Sequence, residues 1–264
     1  MQFDYISDTH LDFWSKVPKL GFEPSKMLPP IPSKVLIIAG DLGHSNDENI
    51  DFLIKMRAYY EHIILVFGNH DLYMIREDYK KFGKNSRARL EDMMLRARQI
   101  PGVHYLDGDT ITIDDVTYGG TGMWYDGKYA EEKCGFSSMR VMFLWLQWSD
   151  KKLTYGLPAM KLFFEQEFDK MDKIADKCDV IISHVGPDWS NVSPKFAADP
   201  CTGFFYFDGS QILQRCSGKV WVFGHTHDEM DFMSSGCQML CHPMGYPFER
   251  TVIPKIKTFS RGVV

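Results

Sequence analysis

Several short runs rich in β-branched and aromatic residues punctuate the chain: Phe3 to Ser7, Val35 to Ala39, Ile63 to Phe67, Val180 to Ser183 and Val220 to Phe223. Runs of this length without polar alternation predict strands buried on both faces. Between them the apolar spacing shifts to the helical period. Leu90, Met93, Met94 and Ala97 share one face of a helix that Ser86 is placed to cap. Pro158 is placed to open another, with a stripe through Met160, Phe163, Phe164, Phe168, Met171 and Ile174 that Glu167 interrupts. Strands alternating with helices predict an α/β sheet, largely parallel at its centre. Val103 to Tyr118, with a turn at Asp114-Asp115, and Cys237 to Phe259 read as antiparallel or edge segments. Pro24 to Pro32 reads as a loop, and no Gly/Ser/Pro linker divides the 264 residues, so a single domain over 1–264 is expected.

Two aromatic segments leave alternatives open. Val141 to Trp148 is apolar nearly all round, which suits a core or subunit-interface segment, or part of a cap or lid insertion around 123–160. Trp189 to Phe207, with Phe204-Phe205-Tyr206-Phe207, suits either packing or the stacking of a nucleobase.

Composition narrows the class. Hydrophobic residues make up 44% and charged residues 25%, which excludes a disordered or fibrous chain. The net charge of −5 does not favour a nucleic-acid partner. The basic-rich stretch Arg76 to Arg98 reads as a solvated helix face. No apolar run of about 18 residues is present, so no membrane span is expected. A basic segment followed by an apolar one is missing at the N-terminus, and a cytoplasmic protein with six reduced cysteines is expected.

The chemistry lies where the apolar runs stop. Asp8-Thr9-His10 follows the first, Gly40-Asp41 the second, Gly68-Asn69-His70-Asp71 the third, His184 the fourth and Gly224-His225-Thr226-His227 the fifth. Ligands of open α/β sheets bind beyond the carboxyl ends of the strands, so all five blocks are expected to converge on one crevice. At this composition a chance G-H-x-H is expected about 0.02 times and a chance G-N-H-D about 0.001 times. Carboxylate, imidazole and amide oxygen suit borderline to hard divalent ions such as Mn²⁺, Fe, Zn²⁺ or Ni²⁺. Two ions lying about 3.5–4 Å apart activate a bridging water as hydroxide and clamp the oxygens of an in-line displacement. His44, His62 and His104 read as loop or strand-edge residues, and His242 as a candidate for the site lining.

The ordered set Asp8-x-His10, Gly40-Asp41, Gly68-Asn69-His70-Asp71, His184 and Gly224-His225-x-His227 resembles the calcineurin-like metallophosphoesterase superfamily. The resemblance implies a four-layer αββα sandwich carrying two divalent metal ions. By motif, Asp8, His10, Asp41 and His227 would hold one ion, and Asp41 would bridge to a second held by Asn69, His184 and His225. His70 would bind phosphate and protonate the leaving oxygen, with Asp71 orienting its ring, as a carboxylate steers a base. The Ser/Thr protein phosphatases of this superfamily carry Arg two residues after the G-N-H block's acid; Leu72 and Tyr73 follow here, which disfavours that subgroup. Gly119 to Trp124 and His242 to Glu249 resemble a bacterial and phage branch of small phosphoesterases. The expected activity is hydrolysis of a small phosphodiester or nucleotide. Phosphomonoesters and nucleic acids are the alternative substrates; a catalytically silent scaffold is disfavoured because no ligand position is replaced. A homo-oligomer remains open.

Overall fold

The computed structural model describes residues 1–17, 19 and 21–262. Two mixed sheets, flanked by helices, carry the chain. The first contains β1 (Gln2–Ile6), β2 (Val35–Ala39), β3 (His62–Val66) and β4 (Val103–Tyr105). The second contains β5 (Asp109–Ile113), β6 (Val116–Gly120), β7 (Val180–Ile182), β8 (Val220–Phe223), β9 (Met230–Ser234) and β10 (Cys237–Cys241). β11 (Lys257–Ser260) closes the first sheet beside β1, giving the orders β11-β1-β2-β3-β4 and β5-β6-β7-β8-β10-β9. Pairing is parallel from β1 to β4 and from β6 through β7 and β8 to β10. Antiparallel strands stand only at the margins, as β11, β5 and β9.

The five apolar-rich runs are buried on both sides because each sheet lies between its partner sheet and helices. Alternate residues divide the work. Phe3, Tyr5, Val35, Ile37, Ala39, Ile64 and Val66 meet Tyr118, Val180, Ile182, Val220, Val222 and Leu240 between the sheets. Leu36, Ile38, Ile63 and Leu65 face the other way and pack with helical residues such as Phe52, Leu53, Met93 and Ala97.

The helices are α1 (Leu11–Trp14), α2 (Asn46–Met56), α3 (Arg76–Phe82), α4 (Ser86–Arg98), α5 (Lys128–Cys134), α6 (Ser138–Gln147), α7 (Ser149–Leu153), α8 (Met160–Ala175) and α9 (Ser210–Leu213). The cap of α4 is Asn85, whose side chain accepts from Ala88 N, while Ser86 is the first helical residue and its hydroxyl accepts from Tyr155 N. Glu167 stays buried in the stripe of α8 because Thr121 and Lys170 both donate to it. Val103 to Tyr118 divides between sheets: its first strand is parallel to β3, and only β5 and β6 form the expected hairpin. Asp114 and Asp115 both have positive φ, the backbone that a tight two-residue hairpin requires. α6 buries Val141 and Trp145 and exposes Met139, Met142, Phe143 and Leu146, so one face only is packed. No described helix is long and apolar enough to cross a membrane.

Candidate metal centre

The carboxyl ends of β1, β2, β3, β7 and β8 open toward one crevice between the sheets, and each delivers its motif residue there. The turns are sharp. Five of the nine non-glycine residues with positive φ among the described residues are Asp8, His10, Asp41, His225 and His227. Such backbone is unfavourable for these residues and persists where surrounding structure enforces it, as at ligand-clamping sites. Gly40, at φ 82°, has no alternative: a Cβ there would stand 2.5 Å from the His184 ring.

The side chains gather into three overlapping groups with ligand atoms within 4.8 Å of one another: Asp8, His10 and His227; Asp41, His184 and His225; and His10, Asp41 and His70. The Asn69 carbonyl oxygen lies 3.0 Å from His184 Nε2. Nitrogen faces nitrogen at 3.1 Å both between His10 Nε2 and His227 Nε2 and between His184 Nε2 and His225 Nδ1. Asp41 Oδ2 stands 3.4 Å from His184 Nε2 and 3.8 Å from His10 Nε2, between the two halves.

Outward contacts orient these rings. His184 Nδ1 lies 2.9 Å from the Ala39 carbonyl, His225 Nε2 lies 2.9 Å from the Phe204 carbonyl, and His227 Nδ1 lies 2.8 Å from Glu249 Oε2. An N–H donated outward leaves the inward nitrogen with its lone pair toward the crevice, which is how metal-ligating imidazoles are held. His10 Nδ1 is buried without a partner. Asn69 is steadied by its amide nitrogen, which donates to Asp150 Oδ1 at 2.8 Å; Tyr73 and Tyr125 donate to the same buried carboxylate.

The electrostatics agree. Burial alone would raise the Asp8 and Asp41 carboxyls, but the facing histidines hold both well below the usual carboxylate range. Burial opposes charge on His184 and His227, yet Asp41 and Asp8 push the first up to about 9, and Asp8 with Glu249 push the second up to about 10. His10, more penalised by burial, falls to about 4. Buried carboxylates facing imidazoles favour positive charge in the crevice, and this nitrogen-and-oxygen donor set fits divalent transition ions.

His70 is held differently from the expected arrangement. The Asp71 carboxylate accepts from the backbone N–H groups of Gly68 at 2.7 Å and Asp41 at 3.1 Å, and no Asp71–His70 ring bond forms. Asp71 therefore braces two motif turns. The His70 ring lies between His44, whose Nε2 is 2.8 Å from His70 Nδ1, and Tyr246, whose hydroxyl is 3.1 Å from His70 Nε2. Asp12 Oδ2 stands 3.2 Å from His44 Nδ1 and Oδ1 accepts from His44 N, so a chain runs Asp12–His44–His70–Tyr246. The His44 and His70 ring planes are parallel within 1°, with centroids 4.9 Å apart.

His44 does lie in a loop, between β2 and α2, yet its ring bonds His70; Asp12, Tyr73, Asp150, Tyr246 and Glu249 join the site without a metal-ligand motif of their own. Tyr246 and Glu249 do fall in the noted tail motif, but the other contacts form only on folding. His242 instead bonds Glu229 and the Lys255 carbonyl, away from the metal-ligand groups, and His62 pairs with His104 at the edge of the first sheet. Arg89, expected on a solvated face, is fully buried and donates to the carbonyls of Gly43, His44, His70 and Asp71.

The family model of calcineurin-like phosphoesterases matches residues 1–229. The chain is similar to the uncharacterized protein L509 of Acanthamoeba polyphaga mimivirus, at 24% identity over 266 residues, covering 93% of this chain and 91% of that protein. Its fold is similar to that of the phosphopantetheinyl hydrolase from Mycobacterium tuberculosis, with a TM-score of 0.79 at 18% identity over 99% of this chain and 98% of that one.

Proposed function

The chain belongs to the calcineurin-like phosphoesterase family, and from that premise we propose that it is a dinuclear phosphodiesterase acting on a small phosphodiester or nucleotide. The observation that carries this reading is the position of Asp41, whose carboxylate stands between two half-sites completed by Asp8, His10 and His227 on one side and Asn69, His184 and His225 on the other. Ions held there would lower the pKa of a water and neutralise charge on the phosphoryl oxygens.

The protein's own groups do the remaining work. A cavity of about 320 Å³ is lined by Asp41, Asn69, His70, Tyr73, His225 and Tyr246 among others, which is room for a phosphoryl group and part of its ester. His70 lines that cavity at the end of the Asp12–His44 chain; burial holds its pKa well below the usual imidazole range, and in this reading its ring passes a proton to the departing alkoxide. A diester of two alcohols has only alkoxide leaving groups and so depends on that proton for either arm. The named activity of the M. tuberculosis structure adds phosphopantetheinyl esters to the compounds worth screening.

The test compares a phosphodiester with its matching monoester on metal-stripped protein reloaded with Mn²⁺, beside His70→Ala. Faster diester turnover, falling about 10²-fold or more in the variant, is expected. Monoester preference would replace the reading with a phosphatase, and no turnover of either despite bound metal would overturn it.

A further inference from the structure

A second cavity of about 290 Å³ opens beside the metal cavity. The two share Trp148, Phe205 and Thr226 as a common wall. Phe205 is the hinge of this arrangement: its ring centroid lies 4.9 Å from that of His225 and 5.9 Å from that of Trp148. Beyond this wall the second cavity is built from Val192, Phe196, Cys201, Thr202 and Tyr206. Its charged lining residues are two carboxylates, Asp199 and Asp228, with no Lys or Arg.

We propose that this cavity is the substrate's second subsite, and that it takes an uncharged apolar or aromatic arm esterified to the phosphate held at the metal centre. The inference rests on the phosphoesterase reading and names the substrate class within it. Aromatic and aliphatic walls gain by removing such an arm from water. The paired carboxylates repel an arm bearing a further phosphate, so polyphosphates and oligonucleotides fit poorly. The shared wall sets the geometry: an arm leaving the phosphorus over Phe205 enters the second cavity directly. Val192, Phe196 and Cys201 thereby become specificity-determining residues that do not touch the reacting atoms.

The experiment reads binding, with small esters and phosphonates as probes, on the full chain reloaded with Mn²⁺ and carrying His70→Ala, so that the ester probes outlast the titration. Calorimetry compares the binding of methyl phenylphosphonate, dimethyl phosphate and a phenylphosphonate ester carrying an additional phosphate on its arm. The phenyl compound is expected to bind at least tenfold more tightly than dimethyl phosphate, and the added phosphate to cancel that gain. Val192→Trp, which fills the cavity from a wall remote from the ligands, should abolish the phenyl preference while leaving dimethyl phosphate binding within twofold. Cys201→Phe fills the same space from another wall and repeats the comparison if Val192→Trp does not fold. An unchanged phenyl-to-methyl ratio in the folded filled variant, or tighter binding of the doubly charged compound, would overturn the subsite. Selective binding by a protein that hydrolyses no phosphoester would uphold the subsite and defeat the hydrolase reading, so the two failures are distinguishable.

Discussion

Asp150 accepts hydrogen bonds from Asn69, Tyr73 and Tyr125 in a site closed to solvent, and this places Asn69's carbonyl oxygen toward His184. Removing the carboxylate strands three buried donors, each costing about 1–3 kcal/mol when unsatisfied. Asp150→Ala is therefore expected to weaken metal binding about 10–100-fold, the usual effect of losing a group that orients a ligand. Equilibrium dialysis checks this, and unchanged affinity would mean that Asn69 is not a ligand. His44 is a positioning residue for His70, and its loss should depend on the leaving group. His44→Ala should slow release of an alkoxide at least tenfold more than release of p-nitrophenolate, which departs without a proton, while metal content stays constant. Equal slowing of both would reduce His44 to packing. Neither role was legible in the sequence. Asp71 sits next to His70 in the chain, yet its side chain turns to the Gly68 and Asp41 amides, whereas the ring's hydrogen-bond partners arrive from residues 44 and 246.

At the level of elements, reading worked where one local signal decides the outcome. The apolar-rich runs became β1, β2, β3, β7 and β8 because burial on both faces favours apolar residues throughout; in β1 Asp4 is tolerated because Ser33, Tyr60 and Thr258 donate to it. It failed where tertiary contacts override local pattern. Arg89 lies in a basic-rich stretch that reads as solvated, but the motif turns after β2 and β3 point four carbonyls toward α4, of which Gly43 and His70 also accept from Asn49 and Tyr73, and a guanidinium's fork of donors bonds all four. Arg89→Met is expected to destabilise the fold by about 3–5 kcal/mol, since it takes the donor from the His44 and Asp71 carbonyls and the partner from Asp78, and urea unfolding measures it. Gly40→Ala tests the turn after β2. With φ at 82° and the His184 ring 2.5 Å from the added carbon, this change should displace His184 and cost most of the bound metal.

For the molecule as a whole, two sheets converge on a centre that neither completes alone: β1, β2 and β3 supply the Asp8, Asp41 and Asn69 segments, and β7 and β8 supply His184 and His225. Ions bound there would tie the sheets together and stabilise the folded state only. At a free-ion concentration of 100 times the dissociation constant, one such site adds about 2.7 kcal/mol. Stripping the metal is thus expected to lower the melting temperature, reversibly, and Asp41→Asn should show little of the metal-dependent gain. The most direct test of the account follows turnover of a phosphodiester while metal-stripped protein is titrated with Mn²⁺ and bound metal is counted. Activity that rises to a plateau at two ions per chain, and is absent at every metal level in Asp41→Asn, is the predicted result. Full turnover without metal, or a plateau at a single ion, would contradict the dinuclear centre.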